Sequence, residues 1–138
     1  MVFAGVNYIA ILVAAFAAFG FGAVWYTGLS KPWLAAAGID PQKVRPADGK
    51  MDRSPFIISF LGELFLAWVL AGLIGHMGDV TVSSALISAF TVWAGFMLVP
   101  MLINHRYQML PLRLTLIDGG HWLGVVLIQA LIIGLIGA

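Results

Sequence analysis

Apolar residues along this chain fall in four long runs, and the polar residues are gathered in the breaks between them. The first run, about residues 5–27, holds no charged side chain. The second, about 54–76, has Glu63 as its one acid or base of full charge, and the third, about 80–103, has none. The fourth, about 114–137, carries Asp118 together with His121 and Gln129. A helix needs ~20 apolar residues to cross ~30 Å of hydrocarbon, and each run is long enough. In lipid the backbone must satisfy its own hydrogen bonds, so uninterrupted apolar runs of this length predict helices rather than open strands. The pattern therefore predicts an all-α polytopic membrane protein, with four transmembrane helices forming a compact bundle as a single domain over residues 1–138. The break at 77–79 is so short that the second and third spans form an antiparallel hairpin. The break at 30–53 is the one long loop, with room for a short interfacial helix at 32–38. Pro55 opens the second span in the tolerated first turn, and Pro100 is expected to kink the third.

Composition narrows the classes of function. With 62% hydrophobic and 9% charged residues and a mean hydropathy of +1.02, the chain is far from a water-soluble domain, which is about 25% charged. The absence of cysteine excludes disulfides, thiolate metal sites and thiol redox chemistry. A net charge of +1 without a basic block argues against nucleic acid as a partner. The first cation is Lys31, so no basic segment precedes the first apolar run, and that run is expected to be retained as a span rather than cleaved as a signal peptide.

The positions of the cations orient the bundle. Lys31, Lys43, Arg45, Lys50 and Arg53 lie in or beside the first loop, Arg106 and Arg113 flank the third, and these are all 7 Lys and Arg. Short loops rich in Lys and Arg stay cytoplasmic, so both termini are expected outside, on the face of the membrane away from the cytoplasm. Trp25, Tyr26 and Trp33 belong at the headgroup level, where amphipathic rings settle.

Helices associate in lipid through small residues at spacings of about four. Such positions are Ala10, Ala14, Ala18 and Gly22; Ala67, Ala71 and Gly75; Ser84, Ser88, Thr91 and Gly95; and Gly120 and Gly124. These stripes predict a tight four-helix bundle, the alternative being that a further one, Ala130, Gly134 and Ala138, faces a second copy or another membrane protein.

Candidate chemistry is confined to a few side chains. Glu63 lies about nine residues into its span, ~13 Å deep, where an unpaired carboxylate marks a functional site by default. Asp118, His121 and Gln129 share one face of the fourth helix, and His105, Arg106 and Arg113 lie at the cytoplasmic edge. In a structural reading, Asp118 pairs with Arg113 or Arg106, and Glu63 is hydrogen-bonded to a neighbouring helix with Ser59 as a helper. In a functional reading, Glu63 and His121 relay protons or counter a cationic substrate. A divalent metal on Glu63, Asp118, His121 and His105, or a haem on two histidines, lacks any local ligand motif, so no metal or cofactor is expected. No nucleophile or acid–base motif suggests an enzyme. The expectation is a packing, accessory or homo-oligomeric membrane subunit whose partners are the lipid bilayer and a second copy or another membrane protein. The alternative is a small-solute or proton-coupled transporter using Glu63.

Several short stretches carry a family resemblance. They are Asn7-Tyr8 opening the first span, Trp25-Tyr26 closing it, the step Lys31-Pro32-Trp33, and the stretch from Arg113 to Trp122 with Asp118 inside it. In these the chain resembles a bacterial family of small membrane proteins, domain-of-unknown-function family 1761. The resemblance implies a four-helix membrane fold, carries no activity, and extends no role to Glu63 or His121.

Overall fold

The computed structural model describes residues 5–138, among which there is no strand. Seven α-helices follow in order: α1 (Tyr8–Gly28), α2 (Ser30–Ala37), α3 (Pro41–Val44), α4 (Ser54–His76), α5 (Val82–Val92), α6 (Val99–Tyr107) and α7 (Leu112–Ile136). A π-helical segment, Trp93–Leu98, joins α5 to α6 without a break. Four helices are thus long and apolar enough to cross a membrane: α1, α4, the composite Val82–Tyr107, and α7.

Local chemistry sets where these helices start and stop. Asn7 caps α1 by accepting from the Ala10 amide at 3.1 Å. Thr81 caps α5, its hydroxyl accepting from Ser84 N while Ser84 Oγ accepts from Thr81 N. Helix α2 follows directly on α1 and ends at Gly38, which takes the left-handed conformation (φ 69°) that stops a helix. The kink expected at Pro100 takes a different form. Pro100 lacks an N–H and its ring crowds the carbonyl one turn earlier, and the helix answers with the wider π turn just upstream. Leu98 and Val99 keep ordinary helical dihedrals, so the third span continues beyond residue 103 to Tyr107.

Helix α7 is the centre of the bundle, packing against α1, α4 and α5, while α1 and α4 also pack on each other. Helix α1 runs antiparallel to α7: Trp25 reaches Ile117, and a Cβ on Gly137 would lie 4.0 Å from Asn7 Nδ2. The start of α1 and the end of α7 therefore share one face of the bundle, and the cation-bearing breaks share the other. The outward placement of the N-terminus itself falls on residues 1–4, outside the described residues. Of the apolar window of α7, 39% of residues are buried, against 11% in the third span, which places that span at the edge of the bundle.

The core is built from alanine. Ala10, Ala14, Ala18, Ala67, Ala85, Ala89 and Ala130 are fully buried, with Ile74, Val126 and Ile133 filling between them. Small side chains let helix backbones approach closely, which is how apolar helices gain contact in an apolar solvent. Two expected stripes differ from those observed. On the third span, Ser84 is used in the cap, Thr91 bonds the Ile87 carbonyl, and a Cβ on Gly95 would meet nothing within 4 Å, so of the expected stripe it is Ser88 that is buried, with Ala85 and Ala89 beside it. The stripe Ala130, Gly134 and Ala138 is used inside the protomer. A Cβ on Gly134 would stand 2.7 Å from Val82 Cα, and Ala138 lies against Gly75.

Candidate functional site

The polar residues of the bundle gather around the first half of α7, where Gly119 and Gly120 leave the helix backbone open. The indole of Trp25 lies where a Gly120 side chain would be, 2.9 Å from its Cβ position, and donates to the Ile117 carbonyl at 3.0 Å. From the other side, Trp93 Nε1 donates to the Gly119 carbonyl at 2.9 Å. A helical carbonyl has a second lone pair beside the one used in the ladder, and bare glycines make it reachable.

Asp118 follows the same logic with a side-chain acceptor. The Tyr26 hydroxyl donates to its Oδ1 at 2.6 Å, and Trp33 Nε1 donates to the same oxygen at 3.0 Å. The expected pairing with Arg106 or Arg113 is replaced by these two aromatic donors. Both arginines are exposed, while Tyr26 near the end of α1 and Trp33 of α2 turn their polar ring edges onto α7. Trp25, Tyr26 and Trp33, expected as headgroup anchors, thus staple α1 and α2 to the central helix.

One turn deeper, His121 is buried among rings. Phe21 is stacked parallel to it at 6.1 Å between centroids, Tyr26 lies at 4.8 Å and Trp122 at 4.9 Å. Its Nε2 approaches Gly22 of α1, ending 2.8 Å from where a Cβ would be. Glu63 of α4 approaches the same point: its Oε1 is 3.9 Å from that Cβ position. Gly22 is therefore the place where α1 gives way to the acid of α4 and the imidazole of α7. Gln129, two turns further along α7, is fully buried, and its Nε2 donates to the backbone carbonyl of Glu63 at 2.9 Å.

Three buried atoms of this group have no hydrogen-bond partner: Glu63 Oε2, His121 Nδ1 and Gln129 Oε1. Glu63 is 3% exposed and His121 6%. The neighbouring helix thus bonds the main chain of Glu63, not its carboxyl as expected. Ser59, one turn earlier, is exposed and is not its helper. His105 is turned away, its Nδ1 bonding Thr115 Oγ1 at 2.9 Å and tying α6 to α7. The set Glu63, Asp118, His121 and His105 is consequently not brought together, and among the described residues no three or more His, Asp or Glu converge as metal ligands.

Helical periodicity puts Asp118, His121 and Gln129 on one face of α7, and apolar run length puts Glu63 on another helix. Neither brings Gly22 and Phe21 to His121, or Trp33 to Asp118. A glycine ending an alanine stripe, level with an aromatic cluster, was the available signal for Gly22.

Among curated proteins and solved structures none matches the chain. A family match covers residues 9–134, nearly the whole chain, and the protein belongs to that family, Protein of unknown function (DUF1761).

Proposed function

We propose that this is a small-solute or proton-coupled membrane transporter whose working group is Glu63. The observation that carries this reading is the set of three buried polar atoms without partners, on Glu63, His121 and Gln129, in the interior of an apolar bundle. Each such atom costs about 1–3 kcal/mol relative to one that is hydrogen-bonded. A fold needing only stability is better served there by apolar side chains. The competing reading, an accessory or homo-oligomeric subunit, drew on the stripe Ala130, Gly134 and Ala138, and that stripe is occupied within the protomer. In this reading the cation-bearing loops face the cytoplasm of a bacterial inner membrane. A reporter fused after Ala138 would be active only outside.

The test is reconstitution into vesicles with a pH-sensitive dye inside. The wild type is expected to dissipate an imposed proton gradient, alone or with a co-solute, and Glu63→Gln to lose that activity while unfolding at the wild-type temperature. Full flux in Glu63→Gln would sink the proposal.

A further inference from the structure

The hydrogen-bond inventory around Glu63 says what kind of ligand the site takes. Of the side-chain donors around it, Tyr26 and Trp33 are used on Asp118, Trp25 and Trp93 on carbonyls of α7, and one amide N–H of Gln129 on the Glu63 carbonyl. That last bond also fixes which way the Gln129 amide lies, because only its nitrogen can donate to a carbonyl. Its oxygen is therefore the unpartnered atom, an acceptor like Glu63 Oε2. His121 Nδ1 is the third, able to accept in the neutral tautomer that carries its proton on Nε2. The chain supplies no permanently charged cation to this place, where His121 is the one group able to gain a positive charge. All 7 Lys and Arg are exposed, at positions 31–53, 106 and 113. Acceptors that include a carboxylate, buried at more than nine-tenths and without a fixed cation, select a partner that is positive and rich in N–H or O–H.

We infer that Glu63, with Gln129 Oε1 and His121, binds a small hydrogen-bond-donating monocation: an ammonium ion, or a proton carried on water. The inference rests on the reading of Glu63 as the working group and specifies its ligand. Gly22 is where α1 comes closest to the pair. A single methyl there would stand 2.8 Å from His121 Nε2 and 3.9 Å from Glu63 Oε1, so bulk added at Gly22 displaces the imidazole next to the carboxylate. The titratable groups around Glu63 are His121, with Asp118 and Tyr26 beyond it, while His105 of the third span faces Thr115.

Binding is tested on the full chain purified in detergent, where no flux is measured and the result is independent of transport. The thermal unfolding midpoint and tryptophan fluorescence are followed against ammonium chloride and against potassium chloride, since potassium matches ammonium in charge and size but has no N–H. Ammonium is expected to raise the midpoint more than potassium, and Glu63→Gln to weaken the response about tenfold or more, the loss of one charge-assisted bond. Gly22→Ala, which keeps every polar group, is expected to weaken it too. If ammonium and potassium act alike but the wild-type midpoint depends on pH and the Glu63→Gln midpoint does not, the ligand is the proton and the inference stands in that form. The inference is overturned if neither response depends on Glu63. Binding without vesicle flux would overturn the transport reading alone.

Discussion

The two ends of α7 use glycine in opposite ways. Near Ile136, Gly134 admits backbone: Val82 Cα, Val82 N and Thr81 O all lie within 3.1 Å of where its Cβ would be, so the start of α5 rests directly on the helix. Toward Leu112, Gly120 admits a side chain instead, the ring of Trp25, and Gly124 at the middle of the helix admits that of Phe21. The first end is dry and close-packed, lined by Ala85, Ala89, Ala130 and Ile133. The second brings in a carboxylate, an imidazole and three indole N–H groups, and leaves polar atoms unmet just beneath them. One sequence signature, small residues at regular spacing, thus serves both helix contact and the seating of a polar site. The neighbour it admits decides which.

The largest effect should come from the dry end, because backbone cannot step aside. Gly134→Ala gains roughly 1 kcal/mol of helix propensity, and overpacking against Val82 costs about 1–3 kcal/mol, more when a whole helix must shift. Gly134→Leu should exceed any relaxation and separate α5 from α7. A thermal midpoint in detergent that falls steeply for Gly134→Leu, and modestly or not at all for Gly134→Ala, is the expected order. A wild-type midpoint for Gly134→Leu would show that the two helices are not tightly packed there.

How much of this contrast could be read from the sequence depends on the length scale of the signal. Span number and helical class follow from apolar run length, which is set by hydrocarbon thickness and needs no tertiary knowledge. The face shared by Asp118, His121 and Gln129 follows from helical periodicity, again a local property. The partner of Asp118 was not legible. Arg113 and Arg106 are near in sequence, whereas Tyr26 and Trp33 are 92 and 85 residues away and arrive only because α1 packs on α7. The same holds for the stripe ending at Ala138: its spacing announces a contact, and nothing in spacing says whether the partner is α5 of the same chain or another molecule.

An intermediate effect is expected at Asp118, and it separates the observed partners from the arginines. Asp118→Leu removes the acceptor of both Tyr26 Oη and Trp33 Nε1. Leaving such partly buried donors unmet costs about 1–3 kcal/mol, whereas Asp118→Asn keeps an oxygen in place and should cost less than about 1 kcal/mol. Phe substituted for Tyr26 should reduce the Asp118→Leu penalty in a double-mutant cycle, because the two share one bond. Arg113→Ala should show no coupling to Asp118, and coupling of about 1 kcal/mol or more would restore the ion pair.

The smallest effect on stability belongs to Gly22→Ala, and it tests the comparison most directly. The added methyl meets His121 Nε2 at 2.8 Å, close to the 2.7 Å at Gly134, yet here the neighbour is the tip of a side chain. A rotation of the imidazole relieves the overlap, and the helix-propensity gain of roughly 1 kcal/mol offsets what remains. Stability should therefore change by less than about 1 kcal/mol, with the sign set by how freely His121 turns between Phe21 and Tyr26. If Gly22→Ala instead destabilises as much as Gly134→Leu, the rings hold His121 as rigidly as backbone. The polar end is then a packed structural core, and its unmet atoms belong to a rigid arrangement with no room for a ligand.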